Sequence, residues 1–305
     1  MLTYTKRRNL FGDLCNSSTA AVLTFADTLM NMTERKIVSA KDWDFLWRQY
    51  TKTTVAAQRA YRLPAYTRKP QNIYVTVGSY RYTPTEVTNR QDWDKLNATS
   101  VSSDIVTHCF YYDGQVELYP IPATSSNVIT FNSRRIAKDL TRADYTTGTI
   151  TTVATSGVTT TVTGSGTTWT TAMIGRSIRI DASDLALTLS GDGVWYEVAS
   201  VPSATTLTLT RTYGGTAVAS ASAFYTIGET SIIPEPHDML PVYDALKVYF
   251  TSSNPDPARA SLYGGLFSEG YGQMVRDHGS KANVVIDDGS GQYNNNINPN
   301  LSITL

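Results

Sequence analysis

The apolar period of this 305-residue chain changes twice. Helical spacing at both ends encloses a middle of short β-type runs, and inside that middle, from Tyr145 to Gly228, lies a Thr-rich stretch nearly free of charge, with turn signals of its own. Neither helical end can bury its apolar face alone, so the two are expected to pack together as one bundle while the β material loops out between them. The fold class that follows is α+β. Its expected parts are a helical bundle from residues 1–52 and 229–279, a β-domain over 53–144, an inserted small β-barrel or sandwich over 145–228, and an extended C-terminal arm over 280–305.

In the first helical region Val22, Phe25, Ala26 and Leu29 share one face, and Trp43, Leu46, Trp47 and Tyr50 repeat the same spacing. Ser17, Ser18 or Thr19 can cap the helix that runs through Val22. Two or three helices are expected here, with the aromatic stripe as core rather than as a ligand cage. After Pro236 the pattern returns, with Met239, Val242, Leu246 and Tyr249 on one face, then Tyr263, Leu266, Phe267, Tyr271 and Met274 on another. Asn254-Pro255-Asp256-Pro257 divides the two, with Asp256 as N-cap and Pro257 in the first helical position. The expected bundle core is Val22, Phe25, Leu29, Trp43, Leu46, Trp47, Val242, Leu246, Tyr263 and Phe267.

Strands are expected at Val55 to Leu63, Ile73 to Val77, Ile105 to Tyr112, Val116 to Tyr119 and Val128 to Phe131. Asp113-Gly114 is a hairpin signal, because a tight turn needs the positive φ that Gly tolerates. Within the insert, strands are placed near Thr149 to Val153, Thr159 to Thr163, Ser177 to Ile180, Val194 to Val201, Thr206 to Thr210 and Ala223 to Ile227. That is enough for a small barrel or sandwich. From Ala282 the chain has no core pattern and taken alone would be disordered. It finishes Leu301-Ser302-Ile303-Thr304-Leu305, an alternation suited to adding a strand to a sheet edge of another chain; a frayed terminus is the other reading.

Lys plus Arg (26) balances Asp plus Glu (26), so no global field draws the chain to DNA or an anionic membrane. Cys15 and Cys109 are too few for a disulfide framework and are expected as free, buried thiols. No apolar run approaches membrane-spanning length, and Asp13, Asn16, Ser17 and Ser18 interrupt what should follow the Lys6-Arg7-Arg8 cluster in a signal peptide. A cytoplasmic product without a membrane partner is expected.

No residue cluster has catalytic spacing. His108, His237 and His278 are scattered, no Gly-x-Ser-x-Gly elbow exists, and Gly164-Ser165-Gly166 lacks both the third glycine of a dinucleotide fingerprint and the Lys of a phosphate loop. Asp42-Trp43-Asp44 and Asp92-Trp93-Asp94 resemble a metal-holding Asp-x-Asp, but both read better as solvated carboxylates flanking a buried Trp. Asp181, Ser183, Asp184 and Asp192 offer oxygens without the spacing of a calcium loop. Arg134, Arg135 and Lys138 form a basic run, read as a solvated face or a salt bridge between subunits before a phosphate contact. No enzyme activity, metal or cofactor is expected.

The order of segments carries a resemblance: a helical start ending in Trp43 to Trp47, then Tyr61-Arg62-Leu63-Pro64, Trp93-Asp94, Val116-Glu117-Leu118-Tyr119-Pro120-Ile121-Pro122, and a closing helix around Leu240 to Tyr249. Over residues 1–140 and 229–275 the chain resembles the head-to-tail adaptor, or connector, proteins of tailed bacteriophages. The insert, with Trp169, Met173-Ile174-Gly175-Arg176 and Trp195-Tyr196-Glu197-Val198, is similar to small β-domains of phage structural proteins and departs from the simplest adaptors. The resemblance implies a virion neck protein, assembled in the host bacterial cytoplasm, that packs side by side in a ring, generally of twelve, beneath the portal. Its partners would be the portal, further neck or tail proteins, copies of itself, and genomic DNA passing through without specific contact. The arm, with Asn298, Pro299, Leu301, Ile303 and Leu305, would then dock on the portal, an ordering cost met on assembly. A net charge near zero suits a conduit that must release its DNA. The competing reading is a phage tail or fibre protein whose β insert binds carbohydrate through exposed Trp169 and Trp195. A glycan hydrolase is disfavoured, since the insert's carboxylates are few and scattered.

Overall fold

The first helix, α1 (Tyr4–Cys15), opens where the Thr3 hydroxyl accepts the Lys6 N–H and closes on Asn16, whose left-handed φ of 55° turns the chain. α2 (Ala20–Ala40) follows, with Thr19 before it accepting the Leu23 N–H on its carbonyl at 3.0 Å. The computed structural model describes residues 1–157, 159–181, 192–215 and 218–279. They fall in two compact units, Met1–Ile37 with Lys138–Met274, and Val38–Ala137 with the chain from Val275 onward. The arm residues Asn298, Pro299, Leu301, Ile303 and Leu305, and the calcium candidates Ser183 and Asp184, lie outside the described residues.

The second unit is a mixed β structure. β1 (Trp47–Thr53), β2 (Ala60–Arg62), β3 (Asn72–Val77), β4 (Tyr80–Tyr82), β5 (Thr85–Glu86), α3 (Arg90–Leu96), β6 (His108–Tyr112), β7 (Gln115–Tyr119) and β8 (Val128–Arg134) form two four-stranded sheets, ordered β1-β8-β3-β4 and β2-β7-β6-β5. One core joins them, with Ile73, Val75, Ile129 and Phe131 from the first sheet and Tyr61, Cys109, Val116 and Leu118 from the second. Asp113 (φ 48°) and Gly114 (φ 69°) make the expected tight turn between β6 and β7. Trp93 of α3 stacks on Phe110 at 5.5 Å and donates its Nε1 hydrogen to Glu117 at 2.7 Å.

Here the helical expectation for Trp43 to Tyr50 is corrected. Asp44–Leu46 is one short 3-10 turn, and Trp47–Thr53 pairs residue for residue with β8 over seven positions, from Trp47 opposite Arg134 to Thr53 opposite Val128. Its side chains alternate outward and inward, a period of two that the i, i+4 coincidence of Trp43 and Trp47 concealed. Trp43 and Leu46 are fully buried, but in this unit and outside the helical core; Trp47 is 44% exposed.

The first unit resumes with the Thr-rich insert, which folds as seven strands: β9 (Thr149–Ser156), β10 (Thr159–Ser165), β11 (Ser177–Ile180), β12 (Trp195–Ser203), β13 (Thr206–Leu209), β14 (Ala219–Ala223) and β15 (Tyr225–Gly228). Their order is β14-β9-β10-β13-β12-β11-β15, with every neighbouring pair antiparallel. β14 and β15 stand at opposite edges, yet Phe224 alone separates them in the chain. Adjacent Cα atoms lie about 3.8 Å apart, so the two edges meet there and the sheet curls into a half-barrel around Ile150, Val162, Ile178, Ile180, Leu207 and Ile227. Gly148 holds a φ of 82°, and a Cβ there would come within 2.5 Å of the Ser165 carbonyl oxygen. Only glycine allows the strands to approach so closely at this end.

α4 (Leu240–Ser252) and α5 (Pro257–His278) complete the chain, with Asp256 accepting the Arg259 N–H at 3.0 Å as the cap before Pro257. Phe11, Cys15, Ala26, Met30, Val242, Ala245, Leu246, Tyr249, Phe250 and Tyr263 bury one apolar cluster among α1, α2, α4 and α5. Of the expected core, Val242, Leu246 and Tyr263 lie inside it, while Val22, Phe25 and Leu29 pack against it half-buried. Phe267 is half-buried beyond the cluster and stacks on Tyr271 at 5.9 Å.

Candidate functional sites: an ionic junction and an open sheet face

Where the chain leaves the helices for the barrel and returns, charge is buried rather than hydrophobic surface. Tyr145 and Ile227 exchange backbone hydrogen bonds at 2.8 and 2.9 Å, so the barrel's ingoing and outgoing strands are paired at its root. Just outside that pair, Glu229 is 3% exposed. One of its carboxylate oxygens meets Lys138 Nζ at 2.9 Å, and the other accepts the N–H groups of Thr141 (2.6 Å) and Arg142 (2.9 Å). Burial pushes the Glu229 carboxyl upward, but those two N–H groups and the Lys138 ammonium outweigh it and hold the group below its usual value. Arg176 of the barrel reaches in with Nη2 to the carbonyls of Ala143 (2.6 Å) and Ile227 (3.0 Å), and burial pulls its pKa down.

α1 and α2 seize the same crossing from the helical side. Arg7 and Glu34, each 2% exposed, form an ion pair at 2.5 Å, and the other Glu34 oxygen accepts Ser231 Oγ and the Ile232 N–H, both at 3.0 Å. The Thr3 hydroxyl donates to Asp144 at 2.6 Å, and the Tyr4 N–H bonds to the Glu229 carbonyl at 2.9 Å. Gly228 permits this crossing, since a Cβ there would lie 2.6 Å from the Thr3 methyl. The Asn31 amide bonds both ways with the Leu140 backbone at 3.1 Å. These contacts fix the barrel's root to the helices by directed, charge-assisted bonds, which specify orientation more strictly than apolar packing does.

Sequence reasoning missed this junction. Arg7 and Glu34 lie 27 positions apart and Glu34 and Ser231 lie 197 apart, so no local spacing marks them. The basic run that was noticed turns inward: Arg134 pairs with Asp42 and lies over the Trp47 ring, Arg135 bonds to the Phe45 carbonyl at 3.3 Å, and Lys138 serves Glu229. Neither Asp-Trp-Asp motif gathers its carboxylates, for Asp42 meets Arg134, Asp44 meets His278 at 2.9 Å, Asp92 meets Lys95 and Asp94 meets Arg90. Asp181 pairs with Arg179, and Asp192 accepts the Tyr196 hydroxyl. Among the described residues no group of three His, Cys, Asp or Glu is placed to hold a metal ion. Cys15 and Cys109 are free and buried, and burial pushes the Cys109 thiol up to about 12.

The insert's tryptophans do not form the exposed platform expected of a carbohydrate site. Trp169 is 3% exposed, with its ring N–H on the Tyr225 hydroxyl at 2.9 Å, and Trp195 is half-buried under the Arg179 guanidinium. Exposed polar and aromatic chemistry lies instead on the outer face of β1, β8 and β3. An open depression of about 520 Å³ there is lined by Trp47, Arg48, Gln49, Gln71, Asn72 and Asn132, and the Gln49 amide donates to Tyr74 (3.1 Å) and Asn132 (3.2 Å). Such a face can contact a partner through amides and one indole. It presents no nucleophile.

Among the described residues no helix is long and apolar enough to cross a membrane. No curated protein matches the chain. Residues 5–155, from α1 to β9, match the family model described as SU10 adaptor protein. Through that span the chain is similar to the SU10 adaptor family of phage head-tail adaptors, a family of structural phage proteins, and the match supports a phage adaptor protein.

Proposed function

We propose that the chain is a ring-forming head-to-tail adaptor that docks on the portal, joins the capsid to the tail and forms part of the DNA conduit, in a ring of twelve assembled in the host cytoplasm. The observation that carries this reading is the family match over residues 5–155, which takes in α1, α2 and both sheets of the second unit. The ionic junction supports it as well, because a protein that acts by shape needs its modules held at fixed angles, and Glu34, Arg7, Glu229 and Arg176 do that here. On this reading the arm over 280–305 supplies the portal contact, and the barrel meets a neighbouring neck or tail protein. The burial of Trp169 weighs against the carbohydrate-binding fibre reading.

The test is the particle mass of the purified full-length chain, alone and mixed with portal complexes of a candidate phage. A monomer that becomes a ring on the portal is expected. A stable trimer indifferent to portal would overturn the reading in favour of a fibre protein.

A further inference from the structure

The β1 strand occupies one edge of its sheet, and its backbone directions can be read from its neighbours. The Arg135 N–H bonds to the Leu46 carbonyl at 2.9 Å and the Thr54 N–H to the Asn127 carbonyl at 2.7 Å, so positions 46 and 54 face β8. Antiparallel ladders alternate, which turns the even positions Arg48, Tyr50 and Lys52 toward β8 and the odd positions outward. The Arg134 and Asn132 carbonyls agree, since they accept from Arg68 and Gln71 on the β3 side of β8. The N–H groups of Gln49, Thr51 and Thr53 therefore point away from the sheet, and among the described residues no partner takes them. The strand is seven residues long, without proline, and its register with β8 is unbroken. Arg48 and Lys52 put charge on its inward side, but neither a proline nor a bulge interrupts the outward row of backbone groups.

A candidate to cover it is tethered nearby. α5 ends at His278, whose ring bonds to Asp44 at 2.9 Å and lies edge-on to Phe45 at 5.5 Å, two or three residues before β1 begins. From there residues 280–300 lead to Leu301-Ser302-Ile303-Thr304-Leu305. At about 3.3 Å per extended residue that lead is far longer than the distance to be bridged, and a tether of this kind holds its end at an effective concentration near the millimolar range. The alternation also matches the strand. Leu301, Ile303 and Leu305 on one side would extend the inner face, where Tyr50 packs against the core, while Ser302 and Thr304 would fall beside exposed Gln49, Thr51 and Thr53.

We propose that Leu301–Leu305 adds as an outer strand to the β1 edge of its own chain, bonding the outward amides of Gln49, Thr51 and Thr53. The pairing does not require the portal-docking reading; if that reading holds, the edge is where the arm rests before it docks. The test is residue-resolved amide hydrogen exchange on the full-length chain and on the full-length double variant Ile303→Pro with Thr304→Pro; of these two adjacent N–H groups one faces β1 whichever way the added strand runs, and proline removes it. The amides of Gln49, Thr51 and Thr53 should exchange at least about tenfold more slowly in the wild type than in the variant, as local protection requires. Those of Tyr50 and Lys52, held by β8, should be slow in both and so report that the fold is intact. Fast exchange at the three outward amides in the wild type would overturn the proposal. So would equal protection in both proteins, which would mean another segment covers the edge, or protection that rises with protein concentration, which would assign the strand to a second copy.

Discussion

Substituting Glu34 with alanine tests how the ionic junction is held. The carboxylate is 2% exposed and meets three partners, the Arg7 guanidinium, Ser231 Oγ and the Ile232 N–H. Its removal leaves Arg7 charged, 2% exposed and without its counter-ion, and breaking a buried pair from one side costs about 3–5 kcal/mol. The double variant Arg7→Met with Glu34→Leu removes both charges, which by itself is neutral or stabilising by about 1–4 kcal/mol. It still strands the Ser231 hydroxyl and the Ile232 N–H, at about 1–3 kcal/mol each when buried groups lose their partners. Ser231 Oγ keeps one bond, accepting the Ile233 N–H at 3.1 Å, so its share sits at the low end. The double variant should therefore be more stable than Glu34→Ala by a few kcal/mol while remaining below wild type. Urea unfolding followed by helical circular dichroism gives the three midpoints. A double variant as unstable as Glu34→Ala would refute the reasoning, because an uncompensated charge would then not be what the single substitution creates.

Three further outcomes are expected. Because Glu229 titrates in the folded chain below its ordinary 4.5, its stabilisation is present above that pH and is lost as pH falls through the lower folded value. Glu229→Gln should therefore trail wild type at pH 7 by about 2 kcal/mol, the scale of hydrogen bonds to a charged group, and the gap should close in acid; a gap constant between pH 7 and 3 would contradict this. Asp27 and Asp238, whose carboxyls burial raises, act in the opposite sense and broaden the acid limb in both proteins. Gly148→Ala should cost about 3 kcal/mol or more, since it adds a backbone collision to left-handed strain of about 1–2 kcal/mol. Gly157→Ala, at φ 59° with nothing within 4 Å, should cost only the strain, and equal effects in thermal melts would discount the collision. Excising residues 146–227 and joining Tyr145 to Gly228 should preserve the helical signal, given that Tyr145 and Ile227 already touch; its loss would show that the helices depend on the barrel.

What the sequence made legible was local. Asp256 before Pro257, the Asp113-Gly114 turn, and the strand at Ser177–Ile180 each depend on neighbours within a few positions, and each stands where the pattern put it. The mixed α+β class and the adaptor resemblance were also readable, since both rest on the order of segments. Trp47 was misplaced because a spacing of four satisfies a helix while the alternate positions of the same run satisfy a strand. The seven-residue partner that decided between them, β8, lies more than seventy positions away. Trp169 looked exposed because nothing near it in sequence announces Tyr225, 56 residues later, whose hydroxyl receives its ring N–H. The junction was illegible for the same reason, as Arg7, Glu34, Glu229 and Arg176 acquire meaning only when four distant segments cross.

The pairing of Tyr145 with Ile227 has a mechanical side. A pull on the barrel away from the helices draws both connecting strands in the same direction, so neither slides against the other and the tension divides between two backbones. The strands can part only by unzipping from the root. There Arg176 grips the carbonyls of Ala143 and Ile227 together, and Glu229 ties the outgoing strand to the N–H groups of Thr141 and Arg142 on the ingoing one. Such a mount yields little to steady force, and the barrel transmits a tug at its tip to the helices instead of tearing loose.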